Sequence, residues 1–277
     1  MNSLKKSFGP SLKVSRIPAF EDNYIWFIHG LPEKQAEKQI IIVDPGEAWP
    51  VLQSIEQNRY QPQAIFITHH HGDHTGGIRE ILAQFDIPVF GPAHESIPAI
   101  SHKLDETQTV SLNSMGLSFK VLDVPGHTLG HIAYLYHAEN NEDSSLFIGD
   151  TLFAGGCGRI FEGTAEQMHH SLDKLLQLDD NTWVYCAHEY TQDNLVFAQR
   201  VEPENTELLK RIKDTRELCS AGKATMPSLL KLEKQTNPFL RFNCQSVIKA
   251  AEQFAGKQLS TPTEVFATVR YWKDTLD

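Results

Sequence analysis

Thr68-His69-His70-His71-Gly72-Asp73-His74 places four histidines and one aspartate within six positions. Imidazole and carboxylate are the groups a divalent transition metal takes from protein at neutral pH. Ahead of the run stands Ala64-Ile65-Phe66-Ile67, short, apolar and β-branched, which reads as a buried strand. Behind it, past Gly76-Gly77, come Ile78, Ile81, Leu82 and Phe85 at helical spacing. The cluster therefore lies in the turn from a strand's carboxyl end to a helix start. A helix start offers free N–H groups and a positive dipole end, and strand ends are where open α/β sheets build sites. A polyhistidine tract would stand at a terminus, not between an apolar strand and an amphipathic helix.

Alternation within the run suggests roles. While the backbone is extended, His69 and His71 point one way and His70 the other. After Gly72 the chain turns, and Asp73 and His74 approach from a second direction. The segment predicts two adjacent metals, with His69 and His71 on the first and Asp73 and His74 on the second.

Working outward, further apolar runs read as strands: Leu12 to Ile17, Tyr24 to Ile28, Ile40 to Val43, Val89-Phe90, Leu117 to Val124, Ile132 to Tyr136, Leu146 to Ile148 and Trp183 to Tyr185. Several end at or just before a ligand-type side chain: Asp44, His69, His127, Asp150 and His188. Sheets that repeatedly deliver acids and imidazoles to one end predict a metal site on a sandwich or open sheet. A helix is expected from about Trp49 to Asn58. After His188 the pattern changes. Leu195 to Val201, Glu207 to Ala221, Ser228 to Lys234, Gln245 to Phe254 and Pro262 to Trp272 read as helices, with no strand pattern left. The expected division is a metal-binding catalytic domain over 1–188 and an α-helical substrate-binding domain over 189–277.

Whole-chain properties exclude other classes. The 277 residues carry a formal charge of −10, against a broad basic face for nucleic acid or anionic lipid. There is no apolar run long enough to span a membrane. Cys157, Cys186, Cys219 and Cys244 are far apart with no C-x-x-C pair, as expected of free thiols in a cytoplasmic protein. Met1 to Lys13 has no apolar signal core and reads as a short tail.

Taken together, T-H-H-H-G-D-H, P-G-H-T-x-G-H, G-D-T-L-F, C-G-R-x-F-E-G-T, H-E-Y-T and N-P-F-L-R resemble the hydroxyacylglutathione hydrolase (glyoxalase II) family of the metallo-β-lactamase superfamily. The resemblance runs from Ile17 to Asp274. It implies an α+β fold, a metallo-β-lactamase-like αβ/βα sandwich with a C-terminal helical domain. It assigns His69, His71 and His127 to one metal, Asp73, His74 and His188 to a second, and Asp150 to the bridge between them. The cofactors it implies are two divalent ions per chain, zinc before iron or manganese. For substrate contacts it points to Arg159, to Phe161 at a position often Tyr, to Tyr190 and to Arg241.

The function so implied is hydrolysis of S-(2-hydroxyacyl)glutathione thioesters, such as S-lactoylglutathione, to glutathione and a 2-hydroxy acid such as D-lactate. A hydroxide shared by the metals would attack, with Asp73 and Asp150 as the catalytic carboxylates. This would complete methylglyoxal detoxification in a cytoplasmic monomer without nucleic-acid or membrane partners. The main alternative is a mononuclear iron dioxygenase acting on glutathione persulfide. It has no need of Asp73, His74 and His188 as a second site. A nuclease or lactonase of the superfamily fits the acidic charge poorly, and an intact ligand set opposes a non-catalytic binding module.

Overall fold

The computed structural model describes residues 10–138 and 143–276. Most of the amino-terminal stretch expected to be a tail lies outside the described residues. In chain order the first half contains β1 (Val14–Ala19), β2 (Asn23–His29), β3 (Gln39–Val43), α1 (Ala48–Asn58), β4 (Gln61–Phe66), α2 (Gly72–Thr75), α3 (Ile78–Leu82), β5 (Val89–Pro92) and β6 (His102–Leu104). There follow β7 (Thr109–Leu112), β8 (Leu117–Asp123), β9 (Ile132–His137), β10 (Ser144–Gly149), β11 (Leu152–Phe153), β12 (Gly156–Cys157), α4 (Ala165–Leu176) and β13 (Thr182–Cys186). The remainder is α5 (Thr191–Val201), α6 (Thr206–Ser220), β14 (Ser228–Leu229), α7 (Leu230–Thr236), α8 (Gln245–Ala255) and α9 (Pro262–Asp274).

Two six-stranded sheets carry the fold, in the orders β1-β2-β3-β4-β5-β6 and β14-β13-β10-β9-β8-β7. Strand periodicity sorts the side chains. Tyr24, Trp26, Ile28, Ile41, Val43, Ala64 and Phe66 enter one core with Phe119, Val121, Tyr134 and Leu146 of the other sheet. The intervening Ile25, Phe27, Ile40, Ile42 and Ile65 enter a second core with Val51, Ile55, Ile78 and Ile81 of α1 and α3. Both faces are covered, which is why β3 and β4 read as nearly unbroken apolar runs. At the centre Phe66 stacks on Tyr134 with ring centroids 4.4 Å apart, and the Tyr134 hydroxyl donates to Ile67 O at 2.9 Å.

Register brings ligand-bearing ends together. β3 and β4 are parallel with Val43 opposite Phe66, so Asp44 and Thr68 emerge side by side. β10 and β13 are parallel with Gly149 opposite Cys186, so Asp150 and His188 emerge at one level. Backbone bonds stitch the two sheets at this same end: Tyr24 N donates to Ala187 O (2.6 Å), Glu189 N to Asp22 O (2.9 Å) and Ile132 N to Thr68 O (2.9 Å).

Several features differ from the sequence expectation, among them the short strands β6, β7, β11 and β12. β14 pairs antiparallel with β13, so the helical region returns a short strand to the sheet. Its Ser228–Leu229 is too short to show a period of two. The helix α4 is additional: Thr164 and Gln167 cap its start reciprocally, and Met168, Leu172 and Leu175 are buried along one face.

Candidate metal centre

The first triad comes from two loops. His69 Nε2 and His127 Nε2 each lie 3.1 Å from His71 Nδ1. Around one ion with bonds of about 2.0–2.1 Å, tetrahedral nitrogens stand about 3.3–3.4 Å apart, so the spacing suits a shared cation. The other nitrogens are used to orient the rings. His127 Nδ1 donates to Arg159 O at 2.7 Å, which leaves Nε2 as the acceptor facing inward. Burial lowers the basicity of His69, His71 and His127, so all three are neutral with lone pairs to offer.

The second triad is Asp73, His74 and His188. Its ligand-type atoms lie within 4.8 Å of one another, and so do those of His69, His74 and Asp150, which joins the two groups. His188 Nδ1 donates to Asp22 Oδ1 at 2.8 Å, turning Nε2 toward Asp73 Oδ2 (3.3 Å) and Asp150 Oδ2 (3.4 Å). Asn23 Nδ2 donates to Asp73 Oδ2 at 3.0 Å and orients that carboxylate. His74 is fully buried, with Nδ1 3.1 Å from Asp44 Oδ2 and Nε2 3.4 Å from Asp150 Oδ1. Neither nitrogen of His74 nor Asp150 Oδ1 makes a hydrogen bond. Buried polar atoms that converge without bonding one another are what a cation's ligand set looks like.

Electrostatics point the same way. At His188 burial opposes the charged form, but hydrogen bonds and charge from Asp150 and Asp73 overcome it and push the pKa up to about 10. At His74 burial again opposes the charged form, but the charges of Asp150 and Asp44 prevail and raise its pKa well above the ordinary value. For Asp150 burial acts upward, yet His74 and His188 hold it well below the usual carboxylate range. A field that draws protons onto buried imidazoles draws divalent cations for the same reason.

Asp44 and His131 support this rim. Asp44 accepts Thr68 N (2.8 Å) and Thr68 Oγ1 (2.7 Å) while facing His74. Gly46 follows in a turn pressed so closely on the Asp73 backbone that any Cβ there would overlap it. His131 stacks on His69 at 4.6 Å and accepts the Asp150 N–H at 3.2 Å. His70, as strand alternation expects, turns away, with Nδ1 3.0 Å from Glu95 Oε2 and Nε2 3.3 Å from Glu162 Oε1. Asp22 and Asn23, in the connection between β1 and β2 and its edge, are working parts of the rim that the sequence expectation does not name. Their partners His188 and Asp73 lie far along the chain, so no local pattern signals the role.

The triads open into a cleft of about 520 Å³ between the sheets' end and the helices. Of the expected substrate contacts, Arg159, Phe161 and Tyr190 line it. Phe161 stands edge-on to His71 and His127, at 5.6 and 5.3 Å, and Tyr190 stacks on His188 at 4.8 Å. Arg241 does not line this cleft. Its Nε and Nη2 hold Glu202 at 2.6 and 3.0 Å, and Glu202 is only 3% exposed. The expectation for Arg241 is corrected: the guanidinium neutralises a buried carboxylate. The cations that the helical region does bring to the cleft are Arg270 and Lys273 of α9. Arg270 also donates to Cys157 O (3.0 Å) and Asp274 Oδ1 (2.9 Å). A groove of about 590 Å³ along α5 and α6, lined by Leu209, Lys213 and Arg216 among others, contains no imidazole.

The fold and its two-triad rim define a metallo-β-lactamase-type protein, and residues 24–188 match the metallo-β-lactamase superfamily. The fold is shared with BLEG-1 B3 metallo-β-lactamase, at TM-score 0.59 and 20% identity over 82% of this chain and 99% of that one. It is also shared with ETHE1 from Myxococcus xanthus, at TM-score 0.63 and 22% identity over 94% and 89%. Residues 189–276 match the hydroxyacylglutathione hydrolase C-terminus. Proteins named hydroxyacylglutathione hydrolase from Nitrosomonas europaea and Pseudomonas fluorescens are 49% and 46% identical over 95% of this chain, covering 96% and 99% of their own length. The chain belongs to the hydroxyacylglutathione hydrolase family, and its clusters of histidine and aspartate fit a binuclear metal site.

Proposed function

We propose that this protein hydrolyses the thioester of S-(2-hydroxyacyl)glutathiones, S-lactoylglutathione among them, to glutathione and a 2-hydroxy acid. The observation that carries the reading is a pair of converging triads, linked by the group of His69, His74 and Asp150, at the floor of a cleft whose helical wall bears cations. His69, His71 and His127 would hold one divalent ion and Asp73, His74 and His188 the other, with Asp150 between them. Such ions, when bound, lower the pKa of water and stabilise negative charge on a carbonyl oxygen. Zinc suits the imidazole-rich set best, and iron or manganese also fits it.

The chain's own residues supply the rest. Asp73 and Asp150, held ionised, orient whatever nucleophile lies between the triads. Arg159 and Lys273 attract the carboxylates of a glutathione moiety, which an acidic protein can do with a few local cations. Phe153, Phe161 and Tyr190 wall the reacting carbonyl from bulk water. The division of labour at 188 and 189 is supported by the change there from strands to helices. A monomer in the cytoplasm is the setting we favour. Four free cysteines suit a reducing compartment, and no described helix is long and apolar enough to cross a membrane.

Metal analysis of the purified protein, paired with an assay on S-lactoylglutathione, tests the reading. Two metals per chain and thioester cleavage are expected. One metal with oxygen consumption on glutathione persulfide would replace it with the dioxygenase reading, which leaves the second triad without a purpose.

A further inference from the structure

Immediately after Asp150 the chain forms a small hairpin, β11 and β12, fully buried from Leu152 to Gly158. Two paired residues a side cannot satisfy the backbone of its tip and flanks, and buried backbone groups without partners are costly. The helical layer supplies the partners. Gly155 N donates to Glu233 Oε2 at 2.8 Å. Asn194 Nδ2 donates to Ala154 O at 3.2 Å, and Arg270 Nη1 to Cys157 O at 3.0 Å. Asn237 Nδ2 donates to Phe153 O (3.2 Å) on one strand and Gly156 O (2.9 Å) on the other, while its Oδ1 accepts Phe239 N at 3.0 Å. All four side chains are buried, Asn237 and Glu233 completely.

The hairpin and the two residues after it meet the metal rim at Asp150, His127 and His188. It begins two residues past Asp150. Gly158, just beyond it, packs so tightly on Asp150 O that a Cβ would overlap it. The next carbonyl, Arg159 O, fixes the tautomer of His127, and the Phe153 ring stands edge-on to His188 at 5.8 Å. One residue of each triad and the residue between them thus lean on the same short hairpin.

We propose that Asn237 is a positioning residue for the reaction. By clamping both strands of the hairpin it holds Asp150, His127 and His188 in register, so the helical layer maintains the metal centre as well as the substrate wall. This rests on the reading that Asp150 lies between two cations. Loss of such support costs about 10- to 100-fold in metal affinity or activity.

Asn237→Ala, loaded with cobalt(II) or zinc, tests it at a temperature well below its unfolding. Expected are an altered visible spectrum of the cobalt form and weaker retention against a chelator. The kcat should fall about 10- to 100-fold while KM for S-lactoylglutathione moves less than about threefold. A lower melting temperature with unchanged cobalt spectrum, metal retention and kcat would overturn the proposal and leave Asn237 a packing residue. If Asn237→Ala does not fold, Asn194→Ala removes a single bond to the same hairpin. An unchanged cobalt spectrum and metal retention there overturns the proposal, and a shift in both supports it. Wild-type protein that binds fewer than two metals would instead remove the underlying reading, so the two failures are distinguishable.

Discussion

The metal rim and the helical layer face each other across one cleft, yet they are built differently. The rim takes its donors from strand ends at which consecutive residues share the work: His69 to His74 alone contribute to both triads. The helical layer acts through single side chains scattered from Asn194 to Lys273, most of them bound to backbone and not aimed at a ligand. Ligand sets demand atoms within a few Å and tolerate little error, so they are compact and local where the chain allows. A supporting wall needs only hydrogen bonds and charge at the right depth, and many helices can supply them.

That contrast can be broken most severely at the rim. Asp150→Ala should reduce kcat beyond the roughly 10- to 100-fold typical of groups that only support a ligand. Chelation should do the same reversibly. An Asp150→Ala enzyme with two bound metals and near-wild-type kcat would end the bridging assignment. The next test is positional. His69→Ala and His71→Ala should lose metal, whereas His70→Ala should keep both ions because its ring is bound to Glu95 and Glu162. Equal metal loss in all three variants would mean that alternation misplaces the rings.

Effects on the helical side should be smaller and of another kind. Lys273→Ala removes one charge-assisted contact of about 1.5–3 kcal/mol, a roughly ten- to hundredfold rise in KM for S-lactoylglutathione. A small thioester lacking the peptide should hardly respond, and an equal loss on it would place Lys273 outside substrate binding. Arg241→Ala should leave KM and metal content alone. It strips the buried Glu202 of its charged partner, leaving it only Ser246 and Asn205, so stability should fall by about 1–3 kcal/mol in denaturant titration. A changed KM with unchanged stability would return Arg241 to the cleft.

The same contrast explains what could be read beforehand. The strand ends that supply the triads are legible because periodicity and ligand chemistry coincide in short runs, whereas the αβ/βα layering follows from the family resemblance and not from periodicity. Asp22 and Asn23 are not legible, because their meaning depends on a bridge to His188 made only when both sheets close. Arg241 drew attention by its place in Asn237-Pro238-Phe239-Leu240-Arg241, but the residue of that run in contact with the hairpin is Asn237. On α9, helical spacing puts Arg270 and Lys273 on neighbouring turns, yet spacing does not say what a face meets. The helix α4 is absent from the sequence expectation, although its Thr164-x-x-Gln167 cap and apolar stripe are the signals of such a helix.

The backbone bonds that stitch the two sheets at the rim, Tyr24 to Ala187 and Glu189 to Asp22 above all, set an order of events during synthesis. Asp73 and His74 leave the ribosome long before His188, so a nascent chain offers an ion only an open, weak chelate. The closed second triad exists only once β13 has docked against the first hairpin. A complete pair of triads is therefore out of reach until His188 and β13 are in place. By mass action, ions held there would favour that docked state over every earlier one, a latch that engages late.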